Sequence, residues 1–218
     1  MLLAGVALKL GGYGLLILSP FLVLTLHPYL YLTVLGSVIC SLICFRSWDM
    51  KSLVAYSSIV HMGVVSLGVF CGLELGYWVA CSILLAHSLI SPLFFVFAHE
   101  LYLSTSSRCF IHGHASSISS SLLFLLSVST GVSFGLPPFL AFWAELSLFG
   151  ALGSSILVIV LPLGISALLC FLYAVSFLLR STGGYDSSGL VLGSVLNVYI
   201  PGLVFSLLGP FCSALFLL

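Results

Sequence analysis

Four ionisable side chains lie well inside long apolar stretches of the sequence: Lys9, His61, His87 and Glu145. Such side chains can take up and release protons, and a charge at the centre of a bilayer costs about 3 kcal/mol on insertion scales. Apolar residues flank Lys9 on both sides, which disfavours snorkelling to the membrane surface. We therefore predict a proton relay. The alternatives are a structural ion pair for Glu145 and a structural role for each histidine.

Further polar residues precede His61 on the same apolar stretch. Lys51, Ser57 and Ser58 are spaced so that, in a helix, they cover one side together with His61. We expect the two serines to support the relay. Lys51 either begins the polar path or belongs to a cluster of surface charges.

Pro92 follows His87 by little more than one helical turn. Because proline has no N–H group, the carbonyl oxygen of Ser88 lacks its helical donor. That oxygen, the His87 imidazole and the hydroxyl of Ser91 together predict a site for ordered water. Ser91 is therefore a further supporting residue.

The apolar stretch that contains Glu145 is too long for one straight helix, and Pro137 and Pro138 interrupt it. Two consecutive prolines remove two backbone donors and clash with preceding carbonyls, so the helix is expected to break there. Broken helices at membrane depth occur where the freed backbone faces protein or a water-filled cavity. Glu145 follows the break by about two helical turns and is expected to face the same way.

The composition requires lipid as the surroundings of most of the chain. Of 218 residues, 61% are hydrophobic and 5% are charged, whereas a soluble domain carries about 25% charged residues. The balance of five basic and five acidic residues indicates no nucleic-acid partner. The apolar runs are long and do not alternate with polar residues, so we predict an all-α polytopic membrane protein rather than a barrel.

The cysteine and histidine patterns do not favour a metal or cofactor site. The seven cysteines are scattered without a CxxC pair, and most lie in apolar runs. His112 and His114 lack further ligands, which favours a solvated loop. No glycine-rich nucleotide loop, cysteine cluster or haem-ligand pattern occurs, and neither a transit peptide nor a signal-cleavage pattern precedes the first span.

We expect a single transmembrane domain over residues 1–218 with seven spans. Their predicted bounds are about 2–19, 28–45, 51–72, 76–101, 118–151 (broken), 154–179 and 190–217. Four of the five basic residues lie at connections that fall on one side of the membrane, the 46–51, 102–117 and 180–189 loops. The positive-inside rule places these loops and the N-terminus on the cytoplasm-equivalent side and the C-terminus on the other.

Four stretches of the sequence resemble segments of a known family: LAGVALKLGGYG (3–14), DMKSLVAYSSIVHM (49–62), AHSLIS (86–91) and LPPFLAFWAELSL (136–148). They are similar to the C-terminal half of the subunit 4 family of mitochondrial NADH:ubiquinone oxidoreductase, respiratory complex I. The order and spacings also match, and the similarity covers essentially the whole chain. This family belongs to the antiporter-like subunits.

The resemblance implies a proton-translocating module of fourteen helices in two inverted repeats, each with a broken helix. Lys9, His61, His87 and Glu145 match the family's lysine of helix eight, histidines of helices ten and eleven, and glutamate of the broken helix twelve. The implied protein is a non-redox subunit of the reductase in the mitochondrial inner membrane, with the basic loops in the matrix and the C-terminus on the intermembrane side. FMN and iron–sulfur clusters would then lie elsewhere in the complex.

The sequence also departs from the family pattern. Helices one to seven have no counterpart, so we expect a split gene or a truncated chain. Leu103 and Ser104 replace an acidic and basic pair, and Ser88 stands where glycine is usual.

The resemblance also implies partners. They are lipids and other membrane-arm subunits, among them a separate chain with the missing half and the neighbouring antiporter-like subunits 2 and 5. Two alternatives stay open, a subunit of a cation/proton antiporter and a structural half-subunit that does not pump.

Overall fold

The computed structural model describes residues 6–22, 27–109, 120–133, 135, 139–153 and 157–182. Across these residues the chain forms seven helices and no strand, which confirms the all-α prediction. They are α1 (Leu8–Leu22), α2 (His27–Arg46), α3 (Met50–Phe70), α4 (Glu74–Thr105), α5 (Ser120–Ser133), α6 (Leu140–Gly153) and α7 (Leu157–Thr182). The predicted span at 190–217, together with His112 and His114, lies outside the described residues.

Several of these helices are long and apolar enough to cross a membrane. Within the described part of the chain there are four of this kind, covering Tyr29–Arg46, Met50–Phe70, Glu74–Leu103 and Val158–Leu178, while α1, α5 and α6 are shorter apolar helices. A crossing needs about 20 residues. Large apolar side chains such as Leu32 and Leu161 are exposed on the outside of the bundle, as a lipid-facing surface requires. The chain is a multi-pass membrane protein.

α3 and α4 form an antiparallel hairpin in close backbone contact. α3 begins after Asp49, whose side chain caps it by accepting a hydrogen bond from the Lys51 N–H at 3.2 Å. Gly72 takes a positive φ of 66° in the turn. Gly68 and Gly76 let the two helices touch, because a Cβ added to Gly68 would lie only 2.7 Å from the Gly76 carbonyl oxygen.

The predicted helix break is observed. α5 ends at Ser133 and α6 begins at Leu140, while Pro137 and Pro138 themselves lie outside the described residues. Gly135, between the two helices, has a φ of 67°, a conformation that glycine adopts without strain. The region predicted as one interrupted span therefore holds two separate helices.

Two large buried apolar clusters hold the described helices together, beside a smaller third one. One lies among α2, α3, α4, α5 and α7 and includes Phe97 and Phe177, and the other includes Leu67, Leu148 and Ile159. α3 packs between α2 and α4, α7 lies against α2, and α1 lies against α3 and α4. This arrangement brings α1, α3, α4 and α6, which carry the predicted relay residues, to a shared interior.

Connections that carry basic residues meet at one end of the bundle. The Met50 N–H donates to the carbonyl oxygen of Arg108 at 3.2 Å. Arg180 Nη1 donates to the carbonyl oxygen of Ser47 at 2.9 Å, and its guanidinium lies 4.5 Å from the centre of the Trp48 ring. We call this end, with Ser47, Arg108 and Arg180, the basic face.

Candidate functional site

Lys9 makes a direct contact with α4. Its Nζ donates a hydrogen bond of 3.0 Å to Ser91 Oγ, although the two residues are 82 positions apart in the sequence. The exposed fractions of the two side chains are 8% and 1%. An ammonium group buried in this way needs a polar acceptor, and the serine hydroxyl supplies one.

The two histidines face each other across the α3–α4 hairpin. The ring centres of His61 and His87 are 5.1 Å apart, with 43° between the ring planes, and both side chains are buried. His87 lies one helical turn before Ser91 on the same face of α4. It is therefore the ionisable side chain of α4 that lies next to the contact between Lys9 and Ser91. Among the described residues, no hydrogen-bond partner faces the buried Nε2 atom of His87. That nitrogen is therefore available to a water molecule or another proton donor or acceptor.

A small cavity joins His61 to Glu145. Both side chains line it, together with Ser166, Cys170 and several apolar residues of α3, α6 and α7. Its volume is about 20 Å³, which is sufficient for about one water molecule. A single water there would lie beside both side chains.

The helix break lies beside the Glu145 carboxyl group. A Cβ added to Gly135 would lie 3.5 Å from Glu145 Oε2 and 3.4 Å from the Cα of Phe142. The carboxyl group therefore faces the backbone that the α5–α6 interruption exposes. The position of Glu145, about two helical turns after the break in the sequence, predicts this arrangement.

Lys9, Ser91, His87, His61 and Glu145 thus form one row, which we call the central row. The row draws one or two side chains from each of α1, α4, α3 and α6.

Three predicted supporting residues do not join the central row. Lys51 lies at the start of α3 with Nζ 5.4 Å from the centre of the Tyr102 ring, roughly 15 Å along the helix from His61. The hydroxyls of Ser57 and Ser58 each donate to the carbonyl three residues earlier, at 2.8 and 2.6 Å. Their contribution to a relay remains a prediction.

Two residues that line the cavity were not predicted from the sequence. Ser166 and Cys170 both lie in the long apolar run of α7, where no spacing or charge distinguishes them from packing residues. No group of three or more His, Cys, Asp or Glu residues that could hold a metal ion is present in the described part of the chain.

The sequence matches a family profile from residue 1 to residue 170, and the profile is described as "NADH:quinone oxidoreductase/Mrp antiporter, TM". The chain belongs to this family. The matched range includes all five positions of the central row, from Lys9 to Glu145. The predicted resemblance is therefore confirmed.

Curated relatives carry a more specific name. NADH-ubiquinone oxidoreductase chain 4 of Petromyzon marinus is 33% identical over 186 residues, which are 83% of this chain and 41% of the relative. The protein of the same name from Mytilus edulis is 34% identical over 212 residues, or 92% of this chain and 48% of the relative. The chain therefore spans less than half the length of these relatives.

A solved structure shares the fold. A chain of respiratory complex I from Thermus thermophilus with bound NADH superposes with a TM-score of 0.75 at 21% identity, over 90% of this chain and 41% of the other. At that identity the likeness shows the antiporter-like membrane fold alone.

Proposed function

We propose that this chain is a proton-translocating subunit of the membrane arm of NADH:ubiquinone oxidoreductase, and that protons move along the central row. The observation that carries the proposal is the row itself, in which ionisable side chains from four helices meet inside an apolar bundle. The names of the curated relatives supply the complex in which it would act.

Proton movement along the row needs only short steps. A proton leaving the Lys9 ammonium can pass by way of the Ser91 hydroxyl toward His87, one turn away on α4. The adjacent imidazole of His61 can accept it next, and a water in the small cavity can hand it on to the Glu145 carboxylate. Each step leaves one group with one proton fewer and its neighbour with one more. Because charges interact through the apolar interior, a change of charge at one end of the row also changes the free energy of protonation at the other end.

A purely structural role accounts poorly for the row. Each intramembrane ionisable side chain costs about 3 kcal/mol on insertion scales, and an apolar residue of similar size would pack without that cost. Glu74, by contrast, is exposed at the start of α4, where a charged side chain does not have this insertion cost.

The proposal also assigns location, orientation and partners. The protein would lie in the mitochondrial inner membrane with the basic face in the matrix, beside other membrane-arm subunits that include antiporter-like subunits 2 and 5. The residues that precede the matched region in the longer relatives would supply the other half of the pumping module, on this or a separate polypeptide. FMN and iron–sulfur clusters would be bound by other subunits, and this chain would hold no redox cofactor.

The test is made in the assembled complex in sealed vesicles. Glu145→Gln and Lys9→Ala should each reduce proton translocation strongly while the complex still assembles, and Glu74→Gln is the matched control. Assembly is followed by native electrophoresis and NADH oxidation with an artificial acceptor. Full proton translocation in both row variants would refute the proposal.

A second candidate is a subunit of a cation/proton antiporter, which the family description also includes. Copurification separates the two, because a subunit of NADH:ubiquinone oxidoreductase travels with flavin and iron–sulfur proteins. An antiporter subunit would instead support sodium- or potassium-dependent proton exchange without NADH.

A further inference from the structure

A stripe of exposed apolar side chains runs along α2 and ends at Arg46. The stripe consists of Leu32, Leu35, Ile39 and Leu42, each more than half exposed, and Arg46 is exposed in the last turn of the helix. Steps of three or four residues place all of them on one face of α2. The stripe is about 21 Å long, whereas one leaflet of a bilayer contains roughly 15 Å of hydrocarbon. Arg46 therefore lies where this lipid-facing stripe meets the membrane surface.

α7 packs against α2 and has exposed apolar side chains of its own, among them Ile165, Leu168 and Phe171. The last turn of α7 carries Arg180, whose Nη1 atom donates to the carbonyl oxygen of Ser47, the residue directly after Arg46. The two arginines therefore belong to the same end of the helix pair, the basic face. Apolar surface on both helices leads up to this end.

Trp48 lies in the turn after α2, two residues beyond Arg46. Its side chain is 52% exposed, and the Arg180 guanidinium lies 4.5 Å from the centre of the indole ring. Tryptophan is enriched where membrane meets water, because its ring is apolar and its N–H is a hydrogen-bond donor. The stacked guanidinium holds the ring at this position. The turn thus combines an interfacial indole with the exposed arginine of α2.

The helix dipole accounts for only part of this arrangement. A basic residue in the last turn compensates the partial negative charge of a helix C-terminus. An exposed tryptophan contributes nothing to that effect. The same turn also contains Asp49, which caps α3 by accepting a hydrogen bond from the Lys51 N–H. Basic groups still outnumber this carboxylate around the turn, so the surface attracts an anion.

We propose that α2 and Trp48 bind an anionic phospholipid, with its phosphate at Arg46 and the indole N–H and its acyl chains along the apolar stripe. A guanidinium can donate two parallel hydrogen bonds to a phosphate. Arg180 is a positioning residue, because its contacts with Ser47 and Trp48 hold the turn in place. A zwitterionic lipid binds less well, since its headgroup cation is repelled by the arginines. The inference depends on the membrane fold and not on the proposed proton relay.

The test uses the assembled complex in phosphatidylcholine vesicles that contain a small share of phosphatidylglycerol with a photoreactive acyl chain. After illumination, mass spectrometry of peptides should find the label on α2. Arg46→Gln should reduce this label about five-fold, the contribution of one basic residue near an anionic surface, whereas Arg46→Lys should retain most of it. Arg108→Gln is the matched control, because it removes the same charge from the basic face at an exposed position after α4. The label on α2 should be unchanged in this control.

Two further comparisons separate a specific site from general attraction. Trp48→Leu keeps an apolar side chain without the N–H group and should lower the label several-fold. Photoreactive phosphatidylcholine, used in place of the anionic lipid, should label α2 several-fold less. Equal labelling by the two lipids, or an equal loss in Arg46→Gln and Arg108→Gln, would overturn the proposal. Absence of label from α2 with both lipids would mean that protein covers this surface, which also overturns it.

Discussion

Replacing Gly76 with alanine should separate α3 from α4 and weaken the hairpin that carries both histidines. The added Cβ would meet the carbonyl oxygen of Gly68 and lie 3.2 Å from its carbonyl carbon. Carbon atoms in contact are optimally about 3.5–4.0 Å apart, so the helices must separate by roughly 0.3–0.8 Å. Overpacking of this kind costs about 1–3 kcal/mol, and backbone atoms cannot rotate away to relieve it.

The assay compares the thermal stability of the assembled complex with that of two controls. Gly36→Ala in α2 and Gly164→Ala in α7 add a Cβ where no atom lies within 4 Å. Because alanine favours helix over glycine by roughly 0.5–1 kcal/mol, these controls should be neutral or stabilising. Gly76→Ala should lower the temperature of inactivation and the amount of assembled complex. If it matches the controls in both measurements, the close-contact argument is wrong.

Three further predictions concern the row and its supports. Ser91→Ala removes the acceptor of the Lys9 ammonium and should reduce proton translocation, whereas Ser91→Thr keeps the hydroxyl and should retain more of it, as a vesicle pH assay will measure. Gly135→Ala puts a side chain into a positive-φ conformation and beside the Glu145 carboxyl group, at a cost of about 1–2 kcal/mol, so both complex stability and translocation should fall, measured by thermal inactivation and the same pH assay. Asp49→Ala removes the cap of α3 and should cost about 1 kcal/mol, whereas Asp49→Asn should cost less, which thermal inactivation of the assembled complex can resolve.

The fold class followed from composition and from the physics of a bilayer. A chain with so few charges must form helices in lipid, and the double proline required a break where α5 and α6 now separate. The candidate relay residues were predicted by the same reasoning, because ionisable groups such as Lys9 are rare within apolar stretches.

The contacts between those residues did not follow from sequence patterns. Spacing along α4 associated Ser91 with His87, but the bond to Lys9 joins positions 82 apart and depends on how α1 packs against α4. Likewise, Ser166 and Cys170 look like packing residues in an apolar run, and only the fold of α7 against α6 reveals the cavity that they share with Glu145. Helical periodicity describes one element at a time and carries no information about its neighbours.

The central row is held differently at its centre and at its ends. His61 and His87 belong to a hairpin whose helices touch backbone to backbone, so their separation resists change. Lys9 instead contacts α4 through a long side chain that donates a hydrogen bond to Ser91, and Glu145 lies beside a helix break. Because side-chain contacts rearrange at lower cost than packed backbone, a conformational signal from a neighbouring subunit would alter the two ends first. The ends of the row, rather than the histidine pair, are therefore where coupling between subunits should act.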